Sequence, residues 1–461
     1  MSTPSDTPTV APIEALTGNL REYKEPQGID LLGRTEGFFQ WQELRRQHDL
    51  WPYSRSADEA PRACSTALDD TGRSISGVNF ASQDYLSLSS HPAVIEAAKA
   101  AMDEFGVHSA GSAALLGNTP YSLKLERELA SFMGMENVTL YPTGWSAGYA
   151  AIQGLVRPND HVVMDVLAHS CMQQGAIAAT TNIHLYGHLN TGGVRRKLRA
   201  IRAKDKTNGI MVVTESLFSM HADTPDLSEL HEICREYDAT LLVDVAHDMG
   251  CIGEDGLGHL SLQKMLDKVD LVVGSFSKSF ASNGGFIASN SRAVKEYLKY
   301  YSAPQTFSNA LSPVQAAIVL TTLGIIRSPE GRELRRTLMD NILYLREQLN
   351  RAHIEVLGDP CPIVPARIGA EAMARIAMKY LGKLGAIVNL VEYPAVQRNG
   401  SRIRLQVMAK HSRDDIDNLT ASLRKAIDLA EIEYRRSNLG RPQPKPAATE
   451  SQTAKGEERA A

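Results

Sequence analysis

Five short apolar runs each give way to a polar word, and this repeated change of character limits the fold more than any other feature of the chain. The runs are NVTLYP (137–142), HVVMD (161–165), IMVVTES (210–216), ATLLVDV (239–245) and DLVVGS (270–275). They close in PTGWS, DVLAHS, ESLFSMHAD, DVAHD and SFSK. Runs rich in Val, Ile and Leu that alternate with helical stretches such as DLSELHEICREYD (226–238) predict an α/β fold with a mostly parallel sheet flanked by helices. In such sheets ligands bind beyond the carboxyl ends of the strands. The five polar words therefore fall on one rim.

The alternation stops near Ala310, which bounds a large α/β domain at 81–310. A smaller C-terminal α+β domain is expected at 311–437, with a long helix around 330–352 and the strand SRIRLQVMA (401–409). Residues 30–80 read as an N-terminal arm, whose amphipathic helix offers Phe38, Phe39, Trp41 and Leu44 for packing. Residues 1–29 and 438–461 are expected to be disordered, since the start is rich in Ser, Thr and Pro and the tail is poor in large apolar residues. A net charge of −4 gives no electrostatic case for nucleic acid or an anionic membrane. No stretch approaches the roughly 18 apolar residues of a spanning helix, and the start lacks a signal-peptide pattern. Five cysteines without CxxC spacing fit free thiols in a reducing cytoplasm.

Four of the polar words carry chemistry. Asp244, closing an apolar strand, either caps a helix or pairs with a cation such as a protonated ring nitrogen. His169 also follows a strand, where an imidazole is either structural or stacked on a flat ring. Cys171 lies two residues on, but no third ligand has suitable spacing for zinc. PTGWS offers the Gly144 and Trp145 amides and the Ser146 hydroxyl where a helix begins, either a plain helix start or a setting that binds phosphate. Lys278 sits in SFSKSFASNGGF with Ser275 nearby and Gly284–Gly285 beyond it, and is either a surface lysine in a flexible loop or one that forms an imine with a carbonyl cofactor. No GxxxxGK[ST] and no GxGxxG after a strand is present. Together, an Asp for a ring nitrogen, a His for a ring face, an amide nest for a phosphate and a Lys for an aldehyde describe pyridoxal 5'-phosphate.

Over residues 30–435 the chain resembles the α-oxoamine synthase family of fold-type I pyridoxal-phosphate enzymes, which includes serine palmitoyltransferase and 8-amino-7-oxononanoate synthase. The resemblance rests on SQDYLSLSSHP (82–92), GSAALLGNT (111–119), LFSMHADTPDL (217–227), DVAHDMG, SFSKSFASNGGF, FSNALSP (307–313) and SRIRLQVMAKH (401–411). The spelling of KSFxxxGGF and EYPAV (392–396) is closest to the serine palmitoyltransferase branch.

The resemblance implies a decarboxylative condensation of an amino acid, serine favoured, with an acyl thioester of coenzyme A or acyl carrier protein. Alternatives are a glycine- or alanine-using synthase, an aminotransferase, or a non-catalytic subunit on the same fold. It further implies that Lys278 holds the cofactor and acts as base, and that Asp244 pairs with the ring nitrogen. His169 would stack on the ring and His247 would sit near its phenolic oxygen. Gly144, Trp145 and Ser275 would hold the phosphate, with Ser308 contributed across a homodimer interface. Arg404 would take the substrate carboxylate, with Gln83 and Tyr85 on the substrate side. The chain departs from the family's words at Gln83, Ala113, His221, Ala222, Val245 and Asp248.

Overall fold

The computed structural model describes residues 11–437 and 439. Its main layer is a sheet of seven strands: β1 (Asn137–Tyr141), β2 (His161–Asp165), β3 (Ile183–Tyr186), β4 (Ile210–Glu215), β5 (Thr240–Asp244), β6 (Leu271–Ser275) and β7 (Gly285–Ser289). Their order is β1-β7-β6-β5-β4-β2-β3. Only β7 runs antiparallel to its neighbours. The five expected strands match β1, β2, β4, β5 and β6 to within one residue at each end.

Alternate side chains explain why these runs are apolar throughout. Val163, Val212, Leu241, Val243 and Val272 enter one buried core, and Val162, Met211, Val213, Leu242 and Val273 enter the other. Each fully buried aliphatic side chain contributes roughly 1.5–3 kcal/mol. The second core is closed by helices Gly144–Gln153 and Ser170–Ala179, through Ala147, Ala150, Ala151, Met172 and Ala176. The first is closed partly by helices Thr191–Arg202 and Leu227–Glu236, through Val194, Leu198, Leu230 and Ile233.

The smaller unit carries an antiparallel three-stranded sheet of Ile363–Gly369, Ser401–Gln406 and Asn389–Val391. Helices Glu371–Lys383 and Arg413–Arg436 pack together there, beside Pro329–Arg351. The expected boundary at 311 falls too early. Helix Pro313–Arg327 packs on helices Pro92–Phe105 and Pro120–Met133 of the large unit, burying Ala316, Val319 and Leu323. The N-terminal arm is not a separate layer either, since strand Ser74–Asn79 pairs in parallel with Ala386–Ile387.

The expected disorder of 1–29 does not hold for residues 11–29. Helix Ile13–Leu16 buries Ala15 and Leu16, and the guanidinium of buried Arg375 donates to the carbonyls of Leu16, Thr17 and Gly18 at 2.7, 3.2 and 2.7 Å. Residues 1–10, 438 and 440–461 lie outside the described residues. In the arm helix Glu36–Gln47, Trp41 is buried while Phe39 is exposed. The second buried position is Arg45, its guanidinium 4.8 Å and 5.3 Å from the Trp41 and Trp51 ring centres. Among the described residues no helix is long and apolar enough to cross a membrane.

Candidate active site

The carboxyl ends of β1, β2, β4, β5 and β6 open on a cavity of about 250 Å³. Gly144, Trp145, His169, Asp244, His247, Ser275 and Lys278 all line it, so seven of the sequence-predicted residues converge. Glu215, Thr143 and Asn283 line it as well and were not foreseen, and Cys171, set aside above as a zinc ligand, lines it too.

One end of the cavity is built by close backbone approach. A Cβ on Gly285 would lie 2.5 Å from the Gly144 Cα and 2.7 Å from the Gly274 carbonyl, and a Cβ on Gly144 would overlap the Ser275 side chain. Only glycine lets these strands and the helix start at 144 meet. Thr143 caps that helix, accepting the Ser146 N–H at 3.0 Å. The Ser146 hydroxyl is taken up in the same cap, donating to the Thr143 carbonyl at 2.8 Å, so it is not the free donor expected. The amides of the first turn remain, with the Ser275 and Ser277 hydroxyls 2.7 Å apart beside them. Amides, hydroxyls and a helix N-terminus suit a phosphate.

The other end is a charge cluster. Glu215 and Asp244 are in register on neighbouring strands. Burial raises the pKa of both carboxyls, and burial lowers that of the Lys278 amine. Asp244 accepts the Ala246 N–H through Oδ1 at 2.8 Å, and its Oδ2 has no hydrogen-bond partner among the described residues. A cation brought to Asp244 would offset the penalty that raises its pKa. Part of the His169 ring is open to the cavity, and the protein packed round the rest lowers its pKa by desolvation.

Four predicted residues stand outside the cavity lining. Tyr85 is fully buried, its hydroxyl 3.1 Å from Nδ1 of His247. It therefore supports His247 and does not face substrate space. Gln83 is half-buried and also away from the lining. Ser308 donates to the Pro304 carbonyl of its own chain, next to the highly exposed Phe307. Arg404 is buried behind the cavity, near enough that its charge lowers the pKa of Lys278, His247 and His169 after burial has done so. Its Nε and one terminal nitrogen have no partner among the described residues.

Two departures from the family's words have structural work. Asp248 is buried and accepts from the His259 N–H at 2.8 Å and Nδ1 at 2.9 Å. His221 and Ala222 lie in a turn beside His188, whose Nδ1 is 3.1 Å from Asp165 and whose Nε2 is 3.1 Å from Asp223. Burial opposes protonation of His188, but these two carboxylates raise its pKa to about 9.

Residues 75–423 match the model of the family described as aminotransferase class I and II. The chain is 35% identical over 355 residues to a serine palmitoyltransferase of Sphingobacterium spiritivorum, covering 77% of this chain and 87% of that one. It is 30% identical over 398 residues to an 8-amino-7-oxononanoate synthase of Marinomonas sp., covering 86% and 96%. The chain belongs to the α-oxoamine synthase family. The solved serine palmitoyltransferase of Sphingomonas wittichii shares the fold of this α-oxoamine synthase with a TM-score of 0.81 at 26% identity, covering 87% of this chain and 99% of that one. Family membership makes this a pyridoxal-phosphate-dependent acyltransferase, and the cavity fits that group. The Gly144–Gly285 cradle with its amides and hydroxyls suits a phosphate, Asp244 keeps one oxygen without a hydrogen-bond partner among the described residues, which suits a protonated ring nitrogen, and Lys278 supplies an amine of lowered pKa.

Proposed function

We propose that this α-oxoamine synthase condenses serine with a long-chain acyl thioester, releasing carbon dioxide and free thiol to leave a 2-amino ketone. The observation that carries the reading is the uncompensated guanidinium of Arg404 behind a cavity lined by Lys278, Asp244 and His169. A buried cation with two unpartnered nitrogens favours an anionic ligand such as a carboxylate.

Bound pyridoxal phosphate supplies an aldehyde that joins amines and a ring that withdraws electrons from the neighbouring carbon. Gly144, Trp145 and Ser275 would hold its phosphate, Asp244 its ring nitrogen, His169 its face and His247 its phenolic oxygen, and Lys278 would anchor it. The Lys278 amine would take the proton from the substrate α-carbon. Burial favours the neutral, basic form of that amine. Arg404 orients the substrate carboxylate. Across the reaction, a bond forms between the α-carbon and the thioester carbonyl carbon, the carbon–sulfur bond breaks to free the thiol, and the carboxyl group leaves as carbon dioxide with a proton taking its place.

The enzyme acts in the cytoplasm as a homodimer in which Ser308 reaches the partner's phosphate. Support comes from exposed Phe307, Leu115 and Leu116 on two loops tied by the Ala310 N–H to Gly111 carbonyl bond at 2.9 Å.

The test is a screen of amino acids against acyl thioesters of graded length and of both carriers, following thiol and labelled carbon dioxide. Serine with a long acyl chain should release both in equal amounts. Keto acid formed without thiol would instead mark an aminotransferase, and preference for glycine or alanine would move the enzyme to another branch of the family. Light scattering checks the assembly, and a fully active monomer would contradict it.

A further inference from the structure

Cys171 is buried at the head of helix Ser170–Ala179, and His169 is the cap of that same helix. Nδ1 of His169 accepts the Cys171 backbone N–H at 3.3 Å, and the Cys171 sulfur stands 3.0 Å from the same nitrogen. A backbone amide can only donate, but at 3.3 Å this one is too long to fix the ring by itself; with the thiol as a second, nearer donor, Nδ1 presents its lone pair and a neutral ring carries its proton on Nε2. The thiol hydrogen is a second donor, though a weak one, aimed at that lone pair.

A third residue bears on the arrangement from outside. Gly148 lies in the interior of helix Gly144–Gln153, where glycine is an unfavourable choice. A Cβ there would run into the Cys171 sulfur before any other atom. The missing side chain makes room for the thiol beside His169.

We propose that Cys171 is a positioning residue whose thiol, seated against Gly148, holds His169 in its Nε2–H tautomer and fixes the ring at the cavity wall. The use of this lock rests on the reading of the cavity as the cofactor site. A ring barred from protonation at Nδ1 can lie against a flat group without adding another cation beside Lys278 and Arg404. The tautomer itself is a property of the protein alone, so it can be measured whether or not the proposed reaction is found.

The experiment is nitrogen-15 NMR of histidine-labelled full-length protein, recorded without added cofactor and again with pyridoxal phosphate. The His169 signals are identified by their loss in His169→Gln. Wild type and Cys171→Ser should each give one acceptor-type and one protonated nitrogen, with the acceptor assigned to Nδ1. In Cys171→Ala the two signals should move toward a common value as the tautomers exchange, and Gly148→Ala, which displaces the sulfur, should shift them the same way. Cys171→Ser carries the comparison if either alanine variant fails to fold: a hydroxyl restores the donor, so loss of the tautomer there overturns the proposal. A proton on Nδ1 in wild type, or wild-type signals in folded Cys171→Ala, overturns it as well. Failure to detect condensation with any thioester would bear on the proposed function and leave these signals unaffected.

Discussion

Arg402 and Arg404 stand two residues apart on one buried strand, yet their guanidinium groups are in opposite situations. Arg402 donates to the carbonyls of Gly400 at 3.0 Å and Met220 at 2.8 Å, whereas Arg404 keeps two nitrogens without a partner among the described residues. Alternation places both on the same face, so only their partners tell a structural arginine from one held ready for a ligand. Arg404→Ala should weaken amino-acid binding about ten- to a hundred-fold, the equivalent of a charge-assisted hydrogen bond of roughly 1.5–3 kcal/mol. Its melting temperature should hold or rise, because an uncompensated buried charge is removed. Arg402→Ala should do the reverse, lowering stability by about 1–3 kcal/mol as two carbonyls lose their donor. Titration with serine and a thermal melt of both variants decide it, and equal binding losses would refute the assignment.

Lys278→Ala should fold normally, since its side chain borders the cavity and its removal widens that space instead of leaving a hole in a packed core. It should bind pyridoxal phosphate without covalent attachment and show no turnover. Mass spectrometry after borohydride reduction checks this: wild type should gain the cofactor's mass on the peptide carrying Lys278 and the variant should not.

Gly144→Ala tests the cradle. Its new methyl would be driven onto the Ser275 side chain, and overpacking of this kind typically costs about 1–3 kcal/mol. Cofactor affinity should fall about tenfold or more, and further than in Ser275→Ala, which removes one donor and leaves the backbone in place. Equal affinities for wild type and Gly144→Ala by fluorescence titration would show that the phosphate binds elsewhere.

His188 gives the fold a pH dependence. Its folded pKa of about 9 lies above the unfolded value near 6.5, so its ion pairs with Asp165 and Asp223 stabilise the protein fully below about pH 6.5. That contribution fades as pH rises towards 9. His188→Gln should therefore lower the melting temperature most at pH 6 and least at pH 9.5. A loss that is constant across this range would mean that His188 acts through packing alone.

The rim of the large sheet was legible because burial on both faces writes itself as continuous apolar runs, and the catalytic words interrupt those runs. β3 and β7 were not read: IHLY at 183–186 is only partly buried at the sheet's edge, and GFIAS follows a glycine pair that resembles loop. Glu215 carries the same signal as Asp244, a carboxylate ending an apolar strand, and could have been found by the same argument. Contacts between distant segments left no local trace. Nothing near Leu16 announces Arg375, and nothing near Tyr85 announces His247, because each pair is made by chain paths more than a hundred residues long.

The one strand that runs against the rest also governs how Lys278 can move. Ser275 and Gly285 face each other in register across β6 and β7, so the loop bearing the lysine is clamped at both feet to a single rung of the ladder. The feet of such a loop cannot shift without one strand slipping past the other, and a slip by one residue would turn the buried side chains of β7 to the wrong face. The amine is thus a short tether on a fixed post. Any change of partner by this amine is carried by rotation of its four methylenes, a motion of picoseconds to nanoseconds where the side chain is free to turn, so no slow opening of the backbone is needed.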